Sequence, residues 1–256
     1  MPMLDQLGDR MKECYEGANK PKLTRRTPVI IRLDGCHFHT YARGFKKPCD
    51  PLLAEAMRQT MLFLCESVQG CVLGYTQSDE ITLVLTDYAT LTTEAWFGYD
   101  VQKVVSVSAS LAAMEFNRVF AELHAAAMAK GDLECEPAYQ KALASGAYFD
   151  SRAFNVPKEE VTNCVLWRQI DAERNSVSSN AQALFSQKQL EGKSVREQKS
   201  MLESKGVVWG ELPTCEKRGC CAVRDASGKW VIDLEIPRFV EEGRDYIERL
   251  IAQPED

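Results

Sequence analysis

A chain of 256 residues with 45% hydrophobic and 27% charged residues can bury roughly 70–75% of its unfolded surface, which excludes wholesale disorder. A formal net charge of −6 argues against a generally basic surface that grips nucleic acid without selection. Ten cysteines, several on apolar segments such as those around Cys65 and Cys71, with no apolar leader or membrane-length stretch, read as reduced thiols of a cytoplasmic protein that touches no membrane.

Thr27-Pro28 opens the run Val29-Ile30-Ile31-Arg32-Leu33-Asp34, a buried strand by its apolar content, stopping at Asp34-Gly35. Asp50-Pro51 then supplies an N-cap and a first-turn proline, and Leu53, Met57, Leu64 and Val68 recur at helical spacing up to Gly70. The β-type runs 71–76 and 81–85 are joined by Gln77-Ser78-Asp79-Glu80, a hairpin with a polar tip. The longest helical pattern runs from about Tyr99 to Lys130 and closes at Gly131-Asp132, and residues 148–156, ahead of Pro157, supply the next strand. The order is βαββαβ, an α+β unit of the ferredoxin-like type. Beyond it, 157–205 reads as mostly helical, 206–235 as short strands with turns at Arg218-Gly219 and Ser227-Gly228, and 238–252 as a terminal helix. This divides the chain into a core, 1–156, and a mostly helical part, 157–256, packed on it.

Two carboxylates stand where this order brings chain ends together: Asp34 at the end of the first strand and Asp79 at the hairpin tip. Magnesium accepts one or two carboxylates and completes its shell with water and substrate phosphates, so such a pair suffices when a nucleotide is bound. Arg32, Gly35, His37, His39, Lys47, Ser78 and Glu80 lie in the same segments, a set able to hold metal and triphosphate together. Taken singly, each piece also reads as an ordinary turn or a solvated basic edge. Zinc is disfavoured, because Cys215, Cys220 and Cys221 contain no Cys-x2-Cys pair and the histidines stand at 37, 39 and 124. Gly192-Lys193-Ser194 lacks the P-loop glycine, Gln187 standing in its place. Two rivals are a non-catalytic RNA-binding ferredoxin-like module, whose expected strand aromatics are missing from Val29–Leu33 and Ile81–Leu85, and a nucleotide cyclase, whose glycine-rich hairpin is absent.

The segments Ile31-Arg32-Leu33-Asp34-Gly35-Cys36-His37-Phe38-His39, Phe45-Lys46-Lys47-Pro48 and Gly74-Tyr75-Thr76-Gln77-Ser78-Asp79-Glu80 resemble the tRNA-His guanylyltransferase family. Trp96-Phe97, Phe149-Asp150-Ser151-Arg152, Trp167-Arg168-Gln169-Ile170-Asp171 and Lys217-Arg218-Gly219 extend the resemblance over roughly 25–235. It implies a polymerase-like palm, two Mg²⁺ ions, ATP and GTP or other NTPs as substrates, tRNA as partner and a homotetramer. The catalytic set is then Asp34, Asp79 and Glu80. Asp34 and Asp79 are metal ligands with the Gly35 carbonyl as a third. Glu80, pointing opposite to Asp79 in extended chain, either joins the metal or holds the hairpin. Gly35, Cys36, His37, Phe38 and His39 line the triphosphate, partly through backbone N–H groups, with Lys47, Ser78 and the basic position Lys103 at the nucleotides. Arg152, Arg168 and Asn175 are RNA-facing candidates, Arg152 and Arg168 alternatively tying the palm to the helical part and Asn175 alternatively capping a helix.

Eukaryotic members resemble one another in a His-Ile-Asn-Asn-Leu-Tyr-Asn segment, where this chain reads Glu173-Arg174-Asn175-Ser176-Val177-Ser178-Ser179. Glutamate replaces histidine, and Asp100 stands where the family pattern has a base. The chain therefore looks most like the bacterial-type Thg1-like 3′-5′ polymerases, which repair 5′-truncated tRNA, ahead of guanylate addition to tRNA-His.

Overall fold

The computed structural model describes residues 2–131 and 136–252; Asp132, expected in the turn after the long helix, lies outside them. Helix α1 (Pro2–Met11) leads through two short turns to strand β1 (Val29–Gly35), the one-turn helix α2 (Phe38–Tyr41) and helix α3 (Pro51–Ser67). The hairpin β2 (Cys71–Gln77) and β3 (Glu80–Leu85) follows, then α4 (Val101–Lys130), α5 (Glu136–Ser145) and β4 (Phe149–Asn155). The remainder comprises α6 (Lys158–Leu184), α7 (Gln187–Leu190), α8 (Val195–Glu203), α9 (Thr214–Arg218), β5 (Cys220–Arg224), β6 (Trp230–Asp233) and α10 (Asp245–Glu248).

Local chemistry starts the two central helices. The Asp50 carboxylate accepts from the Leu53 amide at 3.0 Å at the start of α3, and Asp100 accepts from the Lys103 amide at 3.1 Å at the start of α4. Each satisfies one of the donors that a helix start leaves unpaired. The acid at 100 therefore serves as a cap. Gly131 closes α4 in the left-handed conformation, φ 70°.

The strands form one antiparallel sheet in the order β4-β1-β3-β2-β5-β6, an α+β architecture. Alternation divides each strand between two cores. Val29, Ile31, Leu33, Ile81, Leu83 and Leu85 face α3 and α4, whereas Ile30, Leu73, Tyr75 and Val84 meet Val161 and Val165 of α6. By the same alternation Arg32 and Asp34 lie on the α6 face. A third, small cluster joins Val177 and Ala181 of α6 to Leu202 of α8.

One expectation is completed and another changes. The short strands expected over 206–235 are β5 and β6, whose partner the sequence left open: β5 pairs with β2 and extends the main sheet. The terminal helix expected over 238–252 reduces to the single turn α10; Gly243 lies so close to the Arg238 carbonyl that a side chain would not fit, and the segment instead lays Phe239, Ile247 and Ile251 onto the α6-side core. Among the described residues no helix is long and apolar enough to cross a membrane.

Candidate functional site

Register brings the two aspartates together. Asp34 lies opposite Glu80 on one side and Asp150 on the other, and the Gly35 amide donates to the Asp79 carbonyl at 3.0 Å. The hairpin turns in two residues, Ser78 and Asp79, with Ser78 at φ 51°. A non-glycine residue there stores strain on the order of 1 kcal/mol, and the Ser78 hydroxyl sits 3.0 Å from the Asp79 carboxylate. Burial pushes the Asp79 carboxyl above the ordinary aspartate range, and the negative charge of Asp34 pushes it the same way. A cation between the two relieves both penalties. Among the described residues no three His, Cys, Asp or Glu side chains gather as a metal cluster. The donors at hand are therefore two carboxylates and a backbone carbonyl, hard oxygens that fit Mg²⁺ when phosphates and water complete its shell.

Glu80 is only 6% exposed and accepts from Arg168 Nε at 2.7 Å. Arg168 gives its other branch to Asp171 at 2.7 Å, and its guanidinium lies over the Trp167 ring at 4.3 Å. Of the two roles open to Glu80, holding the hairpin is the one its partner supports. Arg168, buried against that carboxylate, ties α6 to the sheet through its Nε and one Nη, which supports the tying role of the two open to it.

The loop after β1 divides its tasks. The Cys36 amide donates to the Tyr148 carbonyl at 2.9 Å, so Gly35 and Cys36 spend their N–H groups on the protein. His37, at φ 57°, caps α2. The amides at the start of that turn have no carbonyl within the helix to bond. His37 and His39 are exposed, whereas Phe38 is buried at 4%, its ring against Tyr41, Phe116 and Phe149. Phe38 can therefore face a nucleotide only through its backbone N–H, not its ring. Its ring lies over Gly35 so tightly that a Cβ at 35 would fall inside it, which is why this position must be glycine.

Lys47 and His39 share the wall of a cavity of about 730 Å³ whose other side is α6, α7 and α8. Ser78 and Asn175 share a second cleft of about 190 Å³ with Asp50 and Arg58. Asn175 lies in the middle of the 27-residue α6, so the capping option for it falls away. Arg152 is exposed, 3.4 Å from Asp150, and pairs across the strands with Arg32, on the face that carries Asp34. Lys103 does not reach this site. It stands in the first turn of α4, on the opposite face of the sheet, beside Asp100 and near Glu16; Ser108, further along the helix, already meets Ser151, so Lys103 lies toward the end where β1 begins.

Further residues also belong here. Arg32, grouped with the site by sequence but given no role, precedes Asp34 by two residues on the same strand face and sits 5.4 Å from the half-exposed Trp167 ring. Asp50 and Arg58 line the Ser78 cleft because the start of α3 packs beside the hairpin, a long-range contact that the Asp50-Pro51 start signal does not announce.

A family model described as tRNAHis guanylyltransferase matches residues 8–157. The fold is similar to a bacterial tRNA(HIS) guanylyltransferase-like protein in complex with ATP, at 41% identity, TM-score 0.82, covering 96% of this chain and 99% of that one. It is also similar to such a bacterial protein in complex with GTP, at 38% identity, TM-score 0.76 and the same coverage. A tRNA(His) guanylyltransferase 2 of Arabidopsis thaliana is 26% identical over 216 residues, 79% of this chain but 37% of the plant protein. This chain thus spans little more than a third of that relative.

Proposed function

We propose, because the chain belongs to the tRNA-His guanylyltransferase family and resembles its bacterial-type members, that it is a nucleotidyltransferase extending tRNA in the 3′-to-5′ direction by templated repair of truncated 5′ ends. The observation that carries this is the meeting of Asp34 and Asp79 at one sheet end through the Gly35–Asp79 backbone bond. In this reading 1–156 is the palm-like catalytic core, with β1, α3, β2, β3, α4 and β4 as a ferredoxin-like unit, and 157–256 is the part that docks on it.

Asp34, Asp79 and the Gly35 carbonyl would hold two Mg²⁺ ions, which when bound neutralise charge on the attacking and leaving oxygens. The chain's own residues do the positioning. A 5′-phosphate oxygen attacks the α-phosphorus of ATP and pyrophosphate leaves; the 3′-hydroxyl of the incoming NTP then attacks the activated 5′-phosphorus and AMP leaves. In both displacements the amides at 37–39, Ser78 and Lys47 hold phosphate oxygens, and positioning with charge complementarity supplies most of what phosphoryl chemistry needs. Glu80 and Arg168 fix the hairpin on which Asp79 rides. Arg152 and Asn175, both exposed beside the site, are the RNA-facing residues that remain.

Repair is favoured over guanylate addition by Glu173. The position that holds histidine in eukaryotic members carries a carboxylate 3.5 Å from Arg218 Nε and 3.3 Å from Arg238 Nε, an internal tie between α6 and the C-terminal segments. The test uses Mg²⁺, ATP, NTPs and a 5′-monophosphorylated tRNA lacking its first nucleotide, beside full-length tRNA-His. Templated extension of the truncated tRNA, lost in Asp79→Asn, is the expected result. Addition to tRNA-His alone would move the reading to guanylylation, and extension of neither would overturn it.

A further inference from the structure

The cavity between the catalytic loop and the helical appendage shares a wall with the proposed triphosphate site and adds side chains that this site leaves unused. His39 and Lys47 form its near wall; Gln182 of α6, Phe185 just beyond that helix, Gln187 of α7 and Gln198 of α8 form the far one. Gln198 donates its Nε2 to the Lys193 carbonyl at 3.0 Å, and its Oε1 is buried with no hydrogen-bond partner. A buried acceptor without a donor is costly to the fold, and a turn of the carboxamide that presents it to a ligand N–H in the cavity removes that cost. Phe185 adds an aromatic ring, with the Lys205 ammonium 5.9 Å from its centroid. Glu191 is the one acid in the lining.

Aromatic face, carboxamide edges and flanking cations are the three elements that bind a nucleotide: stacking for the base, donors and acceptors for its edge, charge for its phosphate. We infer that this cavity holds one nucleotide of the RNA strand beside the end being extended, its base on Phe185 and beside the Gln198 carboxamide, its phosphate toward the His39 side chain. The strand is favoured over a free nucleotide by size and position. The cavity is open and, at about 730 Å³, far larger than the 190 Å³ cleft beside Ser78, and it begins at His39, where the loop proposed for the triphosphate ends. The inference rests on the RNA-end reading above and adds the subsite through which the appendage takes part.

The test measures two affinities in wild type, Phe185→Ala and Gln198→Ala: that of a fluorescent 5′-phosphorylated RNA stem-loop with an unpaired end, and that of ATP by equilibrium dialysis. RNA binding is expected to weaken about tenfold in each variant, with ATP affinity within twofold of wild type. Gln182→Ala, at an exposed helical position where folding is not at stake, is expected to weaken RNA binding in the same direction. Unchanged RNA binding in folded variants would overturn the subsite; loss of ATP affinity with RNA binding intact would assign the cavity to the free nucleotide and overturn the strand assignment. If the wild type binds the RNA and the variants do not, yet no extension occurs, the proposed reaction fails while the subsite stands.

Discussion

Asp87 follows β3 at the end of the sheet where β1 begins, and Asp79 precedes β3 at the other end. Asp87 is fully buried and satisfied: one oxygen accepts from Arg25 Nε at 2.5 Å and the other from the Arg26 amide at 2.8 Å. Asp79 has the Ser78 hydroxyl at 3.0 Å, a carboxyl pushed up chiefly by burial and further by the charge of Asp34, and no ion pair among the described residues. A carboxylate with its partners supplied by the chain holds structure together, whereas a close pair left to repel awaits a cation from outside. Glu80 and Glu173 belong with Asp87, so a positioning role and the proposed ligand role stand on adjacent residues, Glu80 and Asp79.

The largest expected effect falls on chemistry. Asp34→Asn and Asp79→Asn should each lower 5′-end nucleotide addition by about a thousandfold while leaving the melting temperature unchanged or higher, because the amide removes a charge that nothing in the chain neutralises. Gel extension beside thermal melting checks both halves; a destabilised Asp79→Asn would place that residue in the structural class. Next comes Arg168→Met, which strands Glu80 as a buried unpaired charge and should cost about 3–5 kcal/mol of stability. Denaturant melts read it, and the double variant with Glu80→Gln should recover part of the loss. Asp87→Asn should cost about 1–3 kcal/mol with addition rates per folded molecule preserved; a loss of rate at constant stability would break the contrast between the sheet ends. Gly35→Ala, forced against the Phe38 ring, should cost about 1–3 kcal/mol and loosen α2, read as a raised KM for ATP.

The aspartate pair was legible because both residues sit at punctuation that a local pattern records: Asp34-Gly35 ends an apolar run, and Ser78-Asp79 lies between two others. Strand alternation extended that reading to Arg32. What stayed hidden depended on contacts distant in sequence. Lys103 follows a motif at a plausible spacing, yet its place is decided by the face on which α4 packs and the direction in which it runs. Phe38 stands among candidate phosphate ligands, and only Phe116 and Phe149, far along the chain, claim its ring for the core. The pairing of β5 with β2 rests on three registered residues more than 140 positions away, which short-range periodicity cannot announce. Asn175 carries a capping side chain but falls in mid-helix, where packing of the flanking Ala172 and Val177 overrides its preference.

Binding of Mn²⁺ in place of Mg²⁺, followed by electron paramagnetic resonance in the presence of ATP, tests the central claim most directly, since it reads the metal site without requiring turnover. Wild type and Asp87→Asn should bind alike, and Asp34→Asn and Asp79→Asn should each lose at least about tenfold in affinity. Undiminished binding in the Asp34 and Asp79 variants would contradict the assignment of the unsatisfied pair as the metal site.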